Sequence, residues 1–307
     1  MENEVVVIGS INMDLVMDVK QRPAGGETTM GESFFTNPGG KGANQAFSAA
    51  TIGGNVTMLG CVGDDLFGEQ LLINLKNIGV NTEYIQKIDG ETSGIAMITV
   101  DQNGENSIIV APAANNKVTP QYITLHEHVI KRAKAILIQL EIPFESVEKS
   151  IEIAKKYHVP VLLDPAPAQE LPDHMLTKID YILPNETELE QLTNRKIVDQ
   201  KTAIQASQLL ISKGVKTVIS KLGKDGVIIC QNDRAEWIKG YDVHAIDTTG
   251  AGDAFAGAFA TKLVAGLDVK SSAKYANAVG ALTVTKKGAQ SAMPNKEDVQ
   301  VYIQSQS

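Results

Sequence analysis

One stretch near the end of the chain carries residue types suited to phosphate chemistry. Residues 247–253 read Asp-Thr-Thr-Gly-Ala-Gly-Asp and precede a run of small residues. Glycines before such a run predict a tight turn that opens a helix. The first amides of a helix have no partner within it, and the helix dipole is positive there, so this turn would bind an anion such as phosphate.

An acid stands in the first turn of that predicted helix. Asp253 would lie within reach of whatever the turn holds, and it could take a proton from a hydroxyl that attacks a bound phosphoryl group. The alternative is an ordinary first-turn acid that interacts favourably with the helix dipole. The small residues from Ala254 to Ala260 favour close packing over burial of large side chains, which indicates a constraint other than stability.

A second glycine-rich segment predicts another helix start. Residues 39–44 read Gly-Gly-Lys-Gly-Ala-Asn, and we expect the helix to run to about Ile52. A lysine has the wrong charge for a helix N-terminus. Two interpretations follow: Lys41 bends into solvent, or it offsets an anion held nearby.

A third helix start, Asn185-Glu186-Thr187-Glu188, also has two interpretations. An asparagine followed by acids is typical of a capped helix with favourable first-turn charge. In the functional interpretation, Asn185 and Glu188 organise the water shell of a phosphate-bound Mg²⁺, an ion that takes few direct carboxylates.

The elements that would position these residues alternate between strand and helix. We expect strands at 4–9, 55–62, 135–140, 160–163, 180–183 and 216–220 and helices at 66–79, 119–132, 144–157, 186–192 and 200–213. An edge hairpin (226–230 and 235–239) and helices that begin near 251, 270 and 296 would follow. This order predicts an α/β fold with a doubly wound, mostly parallel central sheet and helices on both faces.

Two segments with alternating patterns stand outside this order. Residues 14–37 and 93–111 contain strand-like runs split by turn signals, which predict ribbons that pair into one small β-sheet. We expect this sheet to form a lid over the site. The α/β body would then comprise residues 1–13, 38–92 and 112–307.

Polar residues follow the expected strands where each strand ends. In open parallel sheets, ligands bind beyond the carboxyl ends of the strands. The residues at those ends are Asn12, Asp14, Glu141, Asp164, Asn185 and Lys221. Any one alone is most often a loop residue, but together they predict a single crevice. The chain has neither a Walker A motif nor the dinucleotide glycine spacing, so we expect a phosphate site of a different design.

The composition narrows the possible partners and compartment. The chain has 307 residues, a net charge of −8 and no basic run, so neither nucleic acid nor a membrane is an expected partner. Cys61 and Cys230 are predicted to be buried free thiols, and the histidines show no metal-ligand grouping. No apolar window is long enough to span a membrane and the N-terminus lacks signal character, so we expect a cytoplasmic protein.

Taken together, the three helix-opening motifs at 39–44, 185–188 and 247–253 resemble the ribokinase family of sugar kinases. The resemblance runs from about residue 4 to residue 303. Residues 9–14, 139–141 and 284–290 are similar to the members that phosphorylate ribose. The resemblance therefore implies ATP-dependent phosphorylation of D-ribose at O5, which gives D-ribose 5-phosphate and ADP.

The resemblance also assigns roles to individual positions. Asp253 would be the base, and the amides of Gly250, Ala251, Gly252 and Asp253 would form an anion hole for the γ-phosphoryl group. The positions that match sugar binding are Asn12, Met13, Asp14, Gly40, Lys41, Gly42, Ala43, Asn44, Glu141 and Asp253. The positions that match nucleotide binding are Asn185, Glu188, Lys221, Leu222, Gly223, Lys224, Asp225, Gly226, Gly252, Asp253 and Asn277.

The resemblance implies two metal ions, Mg²⁺ and a monovalent cation, usually K⁺. The positions that match the K⁺ loop, mostly through backbone carbonyls, are Asp247, Thr249, Thr283, Lys286, Gly288 and Ala292. Ala292 stands where a serine is frequent, and Lys221 stands where a threonine is frequent and could add a charge near the phosphates. Family members often form homodimers through their lids, and Ile95, Met97 and Ile109 could supply the apolar face.

Two other functions stay open at this point, one from the same class of enzyme and one from a different class of protein. A kinase of the same family could act on fructose, deoxyribose or a nucleoside such as adenosine. A non-catalytic sugar or nucleotide sensor could be built on the same fold. The expected mark of a sensor is a lost base, whereas Asp253 is present.

Overall fold

The first strand of the chain lies at the centre of the fold. In the computed structural model, which describes residues 4–306, β1 (Glu4–Ile8) is buried along its whole length. Val6 and Ile8 pack into one core, and Val5 and Val7 pack into another on the opposite face. A parallel strand covered on both faces needs this continuous apolar run.

The strands belong to two separate sheets. In chain order, the strands after β1 are β2 (Asn12–Val19), β3 (Gly31–Gly39), β4 (Asn55–Gly63), β5 (Ile85–Ile88), β6 (Gly94–Val100), β7 (Asn106–Ala111), β8 (Ala135–Ile138), β9 (Val161–Leu163), β10 (Tyr181–Ile182), β11 (Thr217–Lys221), β12 (Val227–Gln231) and β13 (Arg234–Ile238). The central sheet has the order β13-β12-β11-β10-β9-β8-β1-β4-β5. Its strands are parallel from β5 to β11, and β12 and β13 form an antiparallel hairpin at one edge.

Helices cover both faces of the central sheet. They are α1 (Lys41–Thr51), α2 (Leu66–Asn77), α3 (Pro120–Leu125), α4 (Glu127–Arg132), α5 (Phe144–Lys156), α6 (Asp173–Leu176), α7 (Glu186–Thr193), α8 (Gln200–Ser212), α9 (Ala251–Val264), α10 (Val269–Thr283) and α11 (Lys296–Ser305). Helices α3 to α8 contribute to the core that contains Val6, and α1, α2, α9, α10 and α11 contribute to the core that contains Val5. The predicted α/β fold is therefore confirmed.

The second sheet has four strands in the order β3-β2-β6-β7, and we call it the lid sheet. Strand β2 pairs with β3 in the antiparallel sense and with β6 in the parallel sense. The prediction that two separate ribbons pair into one small sheet is confirmed. The division of the chain into a body and a movable lid stays a prediction.

Three local expectations were wrong. The helix expected at 119–132 is two helices, because His126, with φ −100° and ψ 18°, leaves the helical conformation, and its amide is shared between the carbonyl oxygens of Tyr122 and Ile123. The short strand β5 was missed. The strand expected at 135–140 ends at Ile138, because Leu140 donates its amide to Ala166 outside the sheet.

Two expectations from composition can be compared with the fold. Cys61 and Cys230 are buried free thiols, as predicted. Among the helices of residues 4–306, none combines the length and the apolar character needed to cross a bilayer.

Candidate active site

Asp253 lies in the first turn of α9, a helix that begins directly after Gly250, a glycine in the left-handed conformation. Gly250 has φ 74°, a conformation that costs glycine little, and it turns the chain into the helix. The small residues of α9 allow close packing on α1: a Cβ atom on Gly257 would lie 2.3 Å from the carbonyl oxygen of Gln45. This approach brings the start of α9 against α1 and leaves Asp253 only 7% exposed.

Two of the first three amides of α9 are available to an anion, whereas the Ala251 amide, also expected in the anion hole, donates to the Thr248 oxygen at 3.3 Å. No side chain caps this helix. Within residues 4–306, the amides of Gly252 and Asp253 have no hydrogen-bond partner. Free amides at the positive end of a helix dipole form an anion site, as the sequence indicated.

Two carboxamides hold the carboxylate of Asp253. Asn44 Nδ2 donates to Oδ2 at 2.9 Å, and Gln45 Nε2 donates to Oδ1 at 3.1 Å. Burial raises the pKa of Asp253, and the carboxylate of Asp164 raises it further, while Lys41 and the two carboxamides oppose the rise. The result is a fixed carboxylate that binds a proton more readily than an exposed aspartate does.

Lys41 lies among acids rather than in solvent. Burial by itself would lower the pKa of its ammonium group, but the carboxylates of Asp253, Glu141, Asp164 and Glu188 outweigh burial and raise the pKa. The lysine therefore stays charged. The interpretation in which it bends into solvent is wrong, because these acids surround it from several elements of the fold.

Asp14 and Glu141 form an acidic pair on the lid side of Lys41. Ser10 Oγ and the Lys41 amide donate to Glu141 Oε2 at 2.5 and 3.1 Å. Burial, together with the charges of Glu141 and Asp253, raises the pKa of Asp14 to about 7, although Lys41 opposes the rise. Asp14 therefore changes its charge near neutral pH.

The remaining positions expected to bind sugar have different surroundings. Asn12 is buried and accepts a hydrogen bond from Asn115 Nδ2 at 2.7 Å. A Cβ atom on Gly40, which has φ 86°, would lie 2.7 Å from the Asn12 amide nitrogen, so only glycine fits there. The side chains of Met13 and Ala43 pack in the core, and Gly42 packs against the backbone of Gly9. Met13, Ala43 and Gly42 would therefore shape the site through their backbone and not through their side chains.

A cleft of about 980 Å³ opens on the other side of Asp253. Residues that line it come from the ends of β9 and β11, the starts of α7 and α9, and the face of α10. Among the positions expected to bind nucleotide, its lining contains Asn185, Glu188, Lys221, Gly223, Lys224, Asp225, Gly226, Gly252, Asp253 and Asn277. The cleft and the acidic pair thus meet at Lys41 and Asp253.

Lys221, at the end of β11, is held by an acid that follows β9, two strands away in the central sheet. Its Nζ atom donates to Asp164 Oδ1 at 2.8 Å, and it lies 3.4 Å from the position that a Cβ atom on Gly252 would take. Gln45 Nε2 donates to the second oxygen of Asp164 at 2.8 Å. The expected extra charge therefore lies beside the anion site and is paired with a buried carboxylate.

Asn185 and Glu188 form a reciprocal capping box at the start of α7. The Asn185 side chain accepts from the Glu188 amide at 2.8 Å, and the Glu188 carboxylate accepts from the Asn185 amide at 2.7 Å. The capping interpretation is confirmed. Since Glu188 also lines the cleft, the cap does not exclude a role near a nucleotide.

Short turns form the far wall of the cleft. Residues 223–225 make a 3₁₀ turn after β11, and Trp237 Nε1 donates to the Asp225 oxygen at 2.8 Å. Leu222 is buried and supports the turn. Asn277, on α10, donates through Nδ2 to the Lys239 oxygen at 3.1 Å. These contacts keep the wall close to α10.

The segments expected to hold a monovalent cation meet beside α9. Asp247 Oδ1 accepts from the amide and hydroxyl of Thr249 at 2.9 and 2.7 Å, and Oδ2 accepts from the Gly288 amide at 2.8 Å. Burial would raise the pKa of Asp247, but these hydrogen bonds outweigh it and lower the pKa. Thr283 and Ala292 are buried, whereas Lys286 is exposed.

Sequence reasoning missed three glutamines around Asp253. Besides Gln45, they are Gln139, which donates to Gln45 Oε1 at 2.6 Å, and Gln290, which donates to Asn44 Oδ1 at 3.0 Å. Gln139 and Gln45 are fully buried, and Gln290 is nearly so. The burial of a glutamine is not visible in a sequence, although Gln45 directly follows Asn44, and Gln139 and Gln290 lie in the segments 139–141 and 284–290 that contribute to the family resemblance. Asp164 was predicted to lie in the crevice as a strand-end residue, but it was given no individual role.

Comparison with known proteins places these features in one family. The family model described as "pfkB family carbohydrate kinase" matches residues 2–296. The chain is similar to ribokinase of Schizosaccharomyces pombe, with 41% identity over 96% of each chain. It is also similar to deoxyribokinase of Salmonella typhi, with 39% identity over 98% of each chain.

A solved structure shares the architecture. The structure of Arabidopsis thaliana ribokinase complexed with ribose and ATP superposes with a TM-score of 0.92 and 32% identity and covers 98% of each chain. The similarity spans the central sheet and the lid sheet, since it extends over nearly the whole chain.

Proposed function

The chain belongs to the pfkB family of carbohydrate kinases, and we propose that it transfers the γ-phosphoryl group of ATP to the 5-hydroxyl of D-ribose. The products are D-ribose 5-phosphate and ADP. One observation carries the proposal: the buried carboxylate of Asp253 lies in the first turn of a helix where the amides of Gly252 and Asp253 are free, between an acidic pair and a long cleft.

Asp253 acts as the general base in this mechanism. It takes the proton of the 5-hydroxyl as the hydroxyl oxygen attacks the γ-phosphorus, and the bond to the β-phosphate oxygen breaks. Burial makes the carboxylate more basic than it is in water. The free amides of Gly252 and Asp253 stabilise charge on the transferred group, with Lys221 nearby.

The sugar would bind on the lid side of Asp253. Asn12, Asp14, Asn44 and Glu141 supply amide and carboxylate groups, which suit several neighbouring hydroxyls, since a hydroxyl both donates and accepts. Lys41 keeps its positive charge among these acids and would donate to a sugar oxygen. ATP would occupy the cleft of about 980 Å³ with its γ-phosphate at the start of α9.

Mg²⁺ would bind with the nucleotide, and two acids that line the cleft fit it. The oxygens of Asp164 already accept from Gln45 and Lys221, and those of Glu188 accept from Asn185. These residues would therefore hold the ion through water molecules rather than directly. When bound, Mg²⁺ supplies positive charge that offsets the charge of the phosphates.

A monovalent cation, K⁺, fits the segments at 247–249 and 283–292. The side chain of Asp247 connects Thr249 and Gly288 by accepting from both amides, so that backbone carbonyl oxygens of the two segments would be the ligands of the cation. The exposed side chain of Lys286 does not compete for the position. When bound, the cation supplies positive charge next to the free amides of α9.

The lid sheet would join two copies of the chain in a homodimer. It exposes a series of apolar side chains: Met17, Phe34, Phe35, Met97, Ile108, Ile109 and Val110. Met97 lies directly opposite Ile109 in register, and the half-buried Ile95 shares their face. An exposed apolar surface of this kind favours association over exposure to water.

The second candidate substrate is 2-deoxy-D-ribose, because the deoxyribokinase of Salmonella typhi is 39% identical to this chain. A coupled ADP-release assay with D-ribose, 2-deoxy-D-ribose, D-fructose and adenosine separates the candidates. We expect kcat/KM to be highest for D-ribose, by about tenfold or more over deoxyribose, since a buried polar group that loses its hydroxyl partner is left unpaired. A ribose rate no better than the others would discard the assignment.

The wild-type protein used in this assay also tests the alternative of a non-catalytic sugar sensor. Calorimetry that shows ribose binding without ADP release by the wild-type protein would favour a sugar sensor. Turnover of any of the four acceptors would exclude the sensor.

A further inference from the structure

Three carboxamides form a continuous chain that ends on the carboxylate of Asp253. Asn74 Nδ2 donates to Gln290 Oε1 at 2.6 Å, and Gln290 Nε2 donates to Asn44 Oδ1 at 3.0 Å. Asn44 Nδ2 then donates to Asp253 Oδ2 at 2.9 Å. The chain crosses three elements that are far apart in the sequence, from α2 through the turn at residues 290–292 to α1.

Each carboxamide in this chain has only one orientation that satisfies its neighbours. A carboxamide donates through its nitrogen and accepts through its oxygen. Because Gln290 uses its oxygen to accept from Asn74, it presents its nitrogen to Asn44. Asn44 must then turn its oxygen toward Gln290 and its nitrogen toward Asp253. Gln290 is 5% exposed and Asn44 is 6% exposed, so the reversed orientation would bury unpaired groups.

A matching pair holds the second oxygen of the same carboxylate. Gln139 Nε2 donates to Gln45 Oε1 at 2.6 Å, which turns the Gln45 nitrogen toward Asp253 Oδ1 at 3.1 Å. Each oxygen of Asp253 therefore receives one amide donor whose direction is set by a residue behind it. The charged groups that face Asp253 are Lys41, Asp164 and Asp14.

We propose that Gln290 is a positioning residue for phosphoryl transfer, which fixes the Asn44 carboxamide so that Asp253 is aimed at the attacking hydroxyl. The inference rests on the proposed function of Asp253 as the base. Gln290 does not need to touch the sugar or ATP. Its effect on the reaction passes through Asn44, because small displacements of a base reduce turnover strongly.

The test is the substitution Gln290→Glu, which keeps the size of the side chain and removes its donor. A carboxylate at this position can only accept, so it competes with Asp253 for the Asn44 nitrogen, and in either orientation of Asn44 one of the two carboxylates faces the Asn44 oxygen. We expect kcat for ribose to fall by between about tenfold and about 100-fold. We also expect the acidic limb of the kcat profile to move to higher pH, because Asp253 then binds its proton more tightly. The Kd of ATP, measured by calorimetry, should not change.

A matched control has the same charge change on the exposed face of α11. Gln304→Glu should leave kcat and the acidic limb as they are in the wild-type protein. Gln290→Met, which keeps the bulk and makes no hydrogen bond, should give a smaller loss of kcat, and thermal unfolding reports whether each variant folds.

The proposal is overturned if folded Gln290→Glu behaves like Gln304→Glu. If Gln290→Glu does not fold, a loss of less than twofold in Gln290→Met overturns it. Failure of the proposed function would appear separately, as a wild-type protein without turnover.

Discussion

The Nζ atom of Lys221 lies 2.8 Å from Oδ1 of Asp164, and the two side chains are only 12% and 2% exposed. The pair connects the ends of β11 and β9 across the intervening strand β10. Because the ammonium group is paired with a buried carboxylate, its position beside Gly252 is fixed. The pair therefore contributes both to the stability of the strand ends and to the field at the anion site.

Breaking this pair should affect stability and turnover together. Lys221→Met leaves Asp164 buried without its ammonium partner, and we expect the free energy of unfolding to fall by about 3–5 kcal/mol. We also expect kcat/KM for ATP to fall by about tenfold or more, since a donor beside the transferred group is lost. Denaturant titration and steady-state kinetics measure the two effects. Lys201→Met, which removes an exposed charge from the first turn of α8, away from the cleft, is the control, and equal behaviour of the two variants would contradict the prediction.

Removal of the base should abolish turnover and leave the fold intact. Asp253→Asn keeps the shape of the side chain and eliminates a buried charge, but it turns an amide nitrogen toward the donor of Asn44 or of Gln45. Because these two effects oppose each other, we expect only a small change in melting temperature. Turnover should drop by about 100-fold or more, which is the usual contribution of a general base. ATP binding measured by calorimetry should persist. Asp233→Asn, on the exposed β12–β13 turn, is the control, and a loss of less than tenfold in Asp253→Asn would remove the residue from this role.

Ribose binding should depend on pH through Asp14. Its pKa of about 7 means that the ionised fraction rises by about tenfold between pH 6 and pH 8. If the carboxylate accepts from sugar hydroxyls, KM for ribose should fall by about tenfold over that range. Asp14→Asn should flatten the dependence and raise KM at pH 8. Asp18→Asn, farther along β2, should keep the wild-type dependence, and a flat wild-type profile would contradict the prediction.

Ionisation of Asp14 should also lower the stability of the fold, although it should favour ribose binding. A raised pKa means that the folded state binds the proton more tightly than the unfolded state does. Stability from Asp14 is therefore present below its ordinary pKa and is lost as the pH rises to about 7. Asp14→Asn should accordingly raise the melting temperature more at pH 8 than at pH 5.

Activity should respond to the identity of the monovalent cation. Replacement of K⁺ by Na⁺ or by tetramethylammonium should lower kcat, because we propose that the segments at 247–249 and 283–292 hold K⁺, and an ion of another size would match them less well. Asp247→Ala breaks the link to Thr249 and Gly288, and we expect it to remove most of the response to K⁺. Indifference of the wild-type protein to the cation would mean that these segments are only structural.

The lid sheet should set the oligomeric state. Ile109 is 72% exposed, and Ile109→Asp would place a charge in the proposed apolar contact. We expect light scattering at micromolar concentration to give a dimer for the wild-type protein and a monomer for this variant. Leu125→Asp, at a position equally exposed on α3, should leave the mass unchanged. A monomeric wild-type protein would contradict the proposed dimer.

The order of strands and helices could be predicted because each depends on a local pattern. The buried run of β1 indicates a strand covered on both faces, and the glycines before α1 and α9 indicate helix starts. Short elements were less predictable: β5 has four residues, and the break at His126 depends on hydrogen bonds to carbonyl oxygens one turn earlier.

Local sequence also determined which residues could carry the chemistry, since an acid in a helix first turn and free amides are properties of neighbouring residues. The tertiary structure decided how they act. Lys41 keeps its charge because four acids from separate segments of the chain converge on it, and Gln290 faces Asn44 although 246 positions separate them. Burial and long-range hydrogen bonds arise only when distant segments pack together, so no pattern of neighbours in the sequence contains them.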